Sequence, residues 1–171
     1  MTHKANRETA KIHFRRHARE WVMQFLFQRD IAETSEETSV LDSFAFQLRE
    51  TELYELPEKS VFKKAYKAAV KLLGGIIDKL PQIDETISRF SLKSDWPIER
   101  IDPVDKNIMR VAVYEMLYCD NVPPIVSINE AVEIGKEFGS AHSPSFINGI
   151  LNSIKDSLSK TSIETVQQQQ Q

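Results

Sequence analysis

The stretch DPVDKNIMRVAVYEMLY, residues 102–118, decides the fold. Asp102 followed by Pro103 is a helix start: the carboxylate can accept from an unpaired N–H of the first turn, and the proline ring already holds a helical φ. Beyond it, Val104, Ile108, Met109, Val111, Ala112, Val113, Met116 and Leu117 put apolar groups on most sides of the predicted helix. A helix of that kind must be surrounded by others. The segment therefore predicts the central helix of a bundle.

Helical spacing extends from it in both directions. Upstream, Phe14, Ala18, Trp21, Val22 and Phe25 form the stripe of a first helix. Thr34-Ser35-Glu36-Glu37 reads as a capping box for a second, with Val40, Leu41, Phe44 and Leu48 as its buried face and a loop around Pro57 as its end. From Glu58, the residues Val61, Ala65, Ala68, Ala69, Leu72 and Ile76 keep the spacing as far as Pro81, with a bend expected at Gly74-Gly75. Ile83, Ile87 and Phe90 mark a shorter amphipathic stretch after it.

Downstream, Ser127-Ile128-Asn129-Glu130 reads as another capping box and Gly139 as a C-terminal stop. Ser143-Pro144 opens a last helix with Phe146, Ile147, Ile150, Leu151, Ile154 and Leu158 on its apolar face. Gln167 to Gln171 have nothing to bury and are expected to be disordered. No stretch alternates apolar and polar residues as a half-buried strand would, and no repeat is visible. The predicted class is all-α, a compact single-domain bundle of about seven helices in two halves, with Asn121-Val122-Pro123-Pro124 as a stiff break inside it.

Composition narrows the function. The 171 residues carry 22 Lys+Arg against 25 Asp+Glu and are 41% apolar, which suits one soluble domain. Cys119 is the lone cysteine, so no disulfide can form within the chain and a reducing, cytoplasmic setting is expected. The longest apolar run, Leu72 to Ile77, falls far below the roughly 20 residues that cross a bilayer. Residues 1–19 hold six cations against the single acid Glu8, a net +5, which leaves −8 on the remainder. A basic start on an acidic body points to a polyanionic partner.

Catalytic and cofactor chemistry finds no support in the residues. Glycines 74, 75, 135, 139 and 149 are too scattered for a phosphate loop, and Gly135 with Gly139 reads as close helix packing. His13, His17 and Glu20 can face one metal on a helix, but they lack the cysteines common in structural zinc sites, so no metal is expected. Cys119 with His142 reads as a small hydrophobe beside a histidine rather than a nucleophile and its base. Glu36/Glu37 and Asp84/Glu85 read as acids at helix starts, favoured by the macrodipole. The expectation is a protein that is not an enzyme.

Two basic surfaces remain. Arg15, Arg16 and Arg19 span about 100° of the first helix beside its apolar stripe and are expected to share one exposed face. Lys59, Lys63, Lys67 and Lys71 make an i, i+4 row on the third. Guanidinium forks bridge phosphates and stack on unpaired bases, so the arginine face is the preferred site over the lysine row.

Four segments together resemble the NusB family of bacterial transcription antitermination factors. They are Arg15-Arg16-His17-Ala18-Arg19-Glu20 with Gln24, Leu26 and Phe27; Trp96-Pro97-Ile98-Glu99-Arg100 with Asp105-Lys106 and the run Met109 to Leu117; Val126 to Phe138; and Phe146-Ile147-Asn148-Gly149-Ile150-Leu151. The resemblance implies a helical, non-catalytic protein without cofactor. It would bind boxA RNA of ribosomal RNA leaders together with NusE, a ribosomal small-subunit protein, within the RNA polymerase antitermination complex; some members form homodimers.

Carried over by position, the resemblance implies RNA contacts from Arg15, Arg16, Arg19 and Phe146 and NusE contacts from Phe27 and Asp105. Lys106 and Arg110, at i and i+4, would extend the RNA surface, unless Arg110 pairs internally with a carboxylate. The implied division is a basic arm at 1–10, a NusB-like helical RNA-binding domain at 11–160 and a Gln-rich tail at 161–171. Pro144-Ser145 stand where the family often has a cation, and His17 where a further arginine occurs, so weak RNA binding is expected of the chain alone.

Three alternatives are a stand-alone protein adaptor, a detached N-terminal domain of an rRNA cytosine methyltransferase, and a transit peptide over residues 1–27. The second would need a cofactor-binding βαβ unit, which the chain lacks. Glu8, Glu20 and scarce serine oppose the third.

Overall fold

Asp102 and Pro103 start a helix as the sequence requires. The Asp102 side chain accepts from the Val104 N–H at 2.8 Å, and Pro103 is the first helical residue. The structure, a computed structural model, describes the backbone of residues 2–32, 39–51 and 59–168, with side chains for 14–32, 39–50, 60–93 and 95–159. Six α-helices are seen among the described residues: α1 (Thr2–Ala32), α2 (Val40–Thr51), α3 (Lys59–Ser91), α4 (Pro103–Tyr118), α5 (Pro124–Phe138) and α6 (Ser143–Gln168). Short 3₁₀ turns at Leu92–Ser94 and Ile98–Arg100 join α3 to α4, and no described residue forms a strand. No helix among them is long and apolar enough to cross a membrane.

The chain divides into two compact units, Met1–Asp78 and Lys79–Gln171. In the first, aromatic rings link the helices. Phe25 of α1 meets Phe44 of α2 with centroids 4.9 Å apart, and Trp21 of α1 meets Phe62 of α3 at 5.6 Å. Ala18, Val22, Leu26, Leu48, Ala65, Ala69 and Leu73 are buried as well. Leu41, expected inside, is instead 38% exposed.

In the second unit, α4 packs on α5 and α6. Ile108, Met109 and Val113 of α4 are buried, as are Ile128, Ala131 and Ile134 of α5 and Ile147, Leu151 and Ile154 of α6. These side chains make the dry interior that the apolar circumference of α4 demanded.

Two predicted boundaries are corrected. The capping box expected at Ser127 is not one, because α5 starts a turn earlier at Pro124, with Pro123 at its N-cap. A fixed proline φ suits a first turn. Ser127 serves elsewhere, since it is buried and donates to Glu115 Oε2 at 2.8 Å. The helix end expected at Pro81 is also absent, since α3 carries Pro81 inside it. Pro81 lies on the exposed side, where water can serve the carbonyl that loses its partner. The stretch with Ile83, Ile87 and Phe90 is therefore the continuation of α3.

The helical backbone also reaches both terminal stretches, from Thr2 at one end to Gln168 at the other. Extending an existing helix fixes one residue per hydrogen bond gained and needs no core, and glutamine is a good helix former. The backbone of α6 thus runs into the Gln-rich tail as far as Gln168. The capping box at Thr34–Glu37, the loop at Pro57 and residues 169–171 lie outside the described residues.

Gly135 and Gly139 let the end of α5 approach the start of α6. A Cβ on Gly135 would stand 2.9 Å from Ile147 Cδ1, and one on Gly139 would stand 2.5 Å from Ser143 Cβ and Oγ and 2.8 Å from the Gly135 carbonyl oxygen. The φ of Gly139 is −95°, open to any residue, so its constraint is space alone. Gly139→Ala is expected to lower stability by about 1–3 kcal/mol through overpacking, read as a lower midpoint in thermal unfolding.

Candidate functional site

On α1 the three arginines do not share one exposed face. Arg15 is exposed and Arg16 half-buried, but Arg19 is only 4% exposed. At about 100° per residue, Arg19 points between the directions of Met23 and Leu26, which are 2% and 4% exposed. The apolar stripe read from Phe14, Ala18, Trp21, Val22 and Phe25 is too narrow. Met23 and Leu26 widen the covered arc until it takes in Arg19. Phe27, on the same helix, is half-buried.

His17 stacks on Trp21 with centroids 6.2 Å apart and lies 3.3 Å from Glu20 Oε2. The His13 side chain lies outside the described residues, and among those described no group of three His, Cys, Asp or Glu is arranged around a metal site.

In the second unit, Arg110 is 6% exposed and faces inward. Its Nε and Nη2 donate to the two Asp84 oxygens at 2.8 and 2.7 Å, and its Nη1 donates to Asn107 Oδ1 at 2.9 Å. Asn107, fully buried, donates in turn to the Pro103 carbonyl at 2.9 Å. A bidentate pair sets both position and orientation of a guanidinium. Of the two readings open for Arg110, the internal one is what the geometry holds, and its place on an RNA surface is corrected.

Asp84 is the residue the sequence missed. As one of a pair of acids it read as a helix start, yet it sits mid-helix on α3. Its signal was Arg110 itself, a cation in an apolar helix that needs an anion. Lys106, a turn before Arg110, is half-buried.

Asp105 also turns inward, being 6% exposed, whereas a partner-contacting residue was expected there. Burial pushes its carboxyl above the usual range, a Ser143 hydrogen bond lowers it and the Asp102 charge raises it further. Its Oδ1 has no hydrogen-bond partner among the described residues. Ser143 opens α6, and its Oγ accepts from the Ser140 N–H at 2.8 Å, so Asp105 braces the turn that leads to Phe146.

Phe146 is half-buried and meets Trp96 edge-on at 6.4 Å. Trp96 is 47% exposed and donates its indole N–H to the Arg100 carbonyl at 3.3 Å. The two rings form an aromatic corner that the sequence did not single out, because Trp96 lies in the connection between α3 and α4 and Phe146 fifty residues later on α6.

Comparison with known proteins agrees in extent. The NusB family model matches residues 16–156. The chain is 42% identical over 145 residues to the transcription antitermination protein NusB of Pelotomaculum thermopropionicum, covering 84% of this chain and 90% of that one. It is 43% identical over 144 residues to NusB of Bacillus cereus, covering 84% and 98%. The solved NusB of T. maritima superposes with a TM-score of 0.66 at 35% identity, over 82% of this chain and 89% of that one. A structure described as antitermination factors NusB and NusE in complex with dsRNA superposes with a TM-score of 0.66 at 21% identity, over 85% and 98%, and speaks for the fold.

The raised Asp105 carboxyl fixes a sign. The folded chain holds that proton more tightly than the unfolded chain, whose aspartates titrate near pH 4. Stability therefore falls as pH rises through and above that value. Asp105→Asn removes the ionisation, so its thermal midpoint is expected to gain on the parent's as pH rises above 4 and to level off once the folded carboxyl has ionised. A constant difference across that rise would show no such linkage.

Proposed function

Because the chain belongs to the NusB family, we propose that it is a transcription antitermination factor. In this reading it binds boxA-type single-stranded RNA from rRNA operon leaders as a heterodimer with NusE, in the cytoplasm and without catalysis, promoting polymerase read-through and rRNA maturation. The observation that carries the proposal is the family match over residues 16–156.

The geometry supports a division of labour. Arg15 and Arg16, on the outer flank of a rigid helix, are the phosphate-binding cations, since a guanidinium fork takes phosphate oxygens in pairs. Arg19 is buried on the same helix. Phe146 supplies a ring on which an unpaired base can stack, and Lys106 adds a cation beside the Arg110 anchor. Phe27 contributes to the NusE contact. Asp105 acts indirectly, by bracing the start of α6.

Few cations reach solvent in this set, and Pro144-Ser145 add none next to Phe146. Single-strand affinity scales with the phosphates neutralised, with a salt slope of about −0.7 per contact. The chain alone is thus a weak RNA binder, and a basic partner supplies the missing contacts.

The test is fluorescence anisotropy of a labelled boxA-containing RNA titrated with the chain, with and without NusE, beside a scrambled RNA. Tight, sequence-selective binding is expected only with NusE. Arg15→Ala/Arg16→Ala is expected to weaken it about tenfold or more while the helix content stays unchanged. A partner that neither binds nor alters RNA affinity would leave a stand-alone helical adaptor.

A further inference from the structure

The front half of α3 is built against its own electrostatics. From Lys59 to Ile77 it carries Lys59, Lys63, Lys64, Lys67 and Lys71 and no acidic residue. Cations near a helix N-terminus oppose the macrodipole, and like charges at i, i+4 repel along one face. Lys63, Lys64, Lys67 and Lys71 are all exposed. None of these four has a carboxylate partner, nor does any other interaction engage them, among the described residues. The buried face with Phe62, Ala65, Ala69 and Leu73 holds the helix in place, but no carboxylate within the described fold offsets the repulsion along this row, which is the mark of a surface kept for an outside ligand.

The placement says which ligand. An aromatic ladder runs from the arginine helix to this row: His17 to Trp21 at 6.2 Å, Trp21 to Phe62 at 5.6 Å and Phe62 to Tyr66 at 6.1 Å. Tyr66 is half-buried at the margin between the buried stripe of α3 and the lysines. Successive lysines of the row are about 6 Å apart along the axis, so Lys63 to Lys71 cover about 12 Å. Lysine is a mobile point charge with no preference among bases.

We infer that Lys63, Lys67 and Lys71 form a second, sequence-independent track that takes the phosphates of RNA flanking the segment held at Arg15 and Arg16. The inference rests on the RNA-binding reading and adds to it a contact made outside the recognised element.

The test compares Lys63→Gln/Lys67→Gln/Lys71→Gln with the parent chain, each in complex with NusE. Two RNAs are titrated over a range of salt: the boxA element alone, and the same element extended by unrelated flanking nucleotides. The parent is expected to bind the extended RNA more tightly, with a log–log salt slope steeper by about 2, from three contacts at about 0.7 each. The triple variant is expected to lose that advantage, binding the extended RNA about tenfold more weakly at low salt while matching the parent on the short RNA. Its thermal midpoint should equal or exceed the parent's, because the repulsion along α3 is relieved. Equal affinity and slope for parent and variant on the extended RNA would overturn the track and leave the row as a solvated face. A parent complex that binds neither RNA would overturn the RNA reading itself and the track with it.

Discussion

The pairing of Arg110 with Asp84 is the constraint on which the second unit depends. A guanidinium enclosed by apolar helices must be met by an anion with good geometry, and breaking such a pair leaves an uncompensated buried charge. The two oxygens of Asp84 take Nε and Nη2, while Asn107 takes Nη1 and anchors itself to the Pro103 carbonyl. One side chain thereby fixes α4 against the last turns of α3. Nearby, Asp105 reaches Ser143 at the start of α6, and towards the other end of α4 Glu115 takes the Ser127 hydroxyl of α5. Apolar burial drives α4 into the middle of its unit without direction, and these polar ties set its register.

The same economy decides which cations remain for function. A bundle helix covered over more than half its circumference hides any charge that falls within the arc. On α1 the arc includes Arg19, and on α4 it includes Arg110. Arg15, a turn nearer the N-terminus than the covered residues, is exposed and Arg16 is half-buried, while Lys63, Lys64, Lys67 and Lys71 of α3 are exposed. A cation held inward keeps a helix in place; one held outward is available to a phosphate. The two roles come from the same residue types in similar helices, separated by which neighbouring side chains reach across them.

Much of the fold is legible in the sequence. The apolar circumference of α4, its Asp102-Pro103 start and the stripes of α1 and α6 follow from local rules that the structure obeys. The misreadings share a cause. Ser127 has the chemistry of a cap, but its partner Glu115 lies twelve residues away. Pro81 has the chemistry of a break, but an exposed position on a long amphipathic helix tolerates it. Met23 and Leu26 lie off the narrow stripe, yet tertiary packing covers them and Arg19 with them. Local spacing shows where a side chain points, and only the assembled unit shows what meets it. The aromatic corner of Trp96 and Phe146 was hidden for the same reason.

The central claim is that Arg110 is an internal anchor and that Arg15 and Arg16 are the arginines that meet RNA. Arginine Nε–H resonances of the labelled chain in complex with NusE, followed while boxA RNA is added, test it most directly. The account predicts that Arg15 and Arg16 shift on RNA addition, whereas the Arg110 Nε–H, donated to Asp84, keeps its position and its slow exchange with solvent. An Arg110 signal that shifts and loses protection when RNA binds, with Arg15 and Arg16 unmoved, would contradict it.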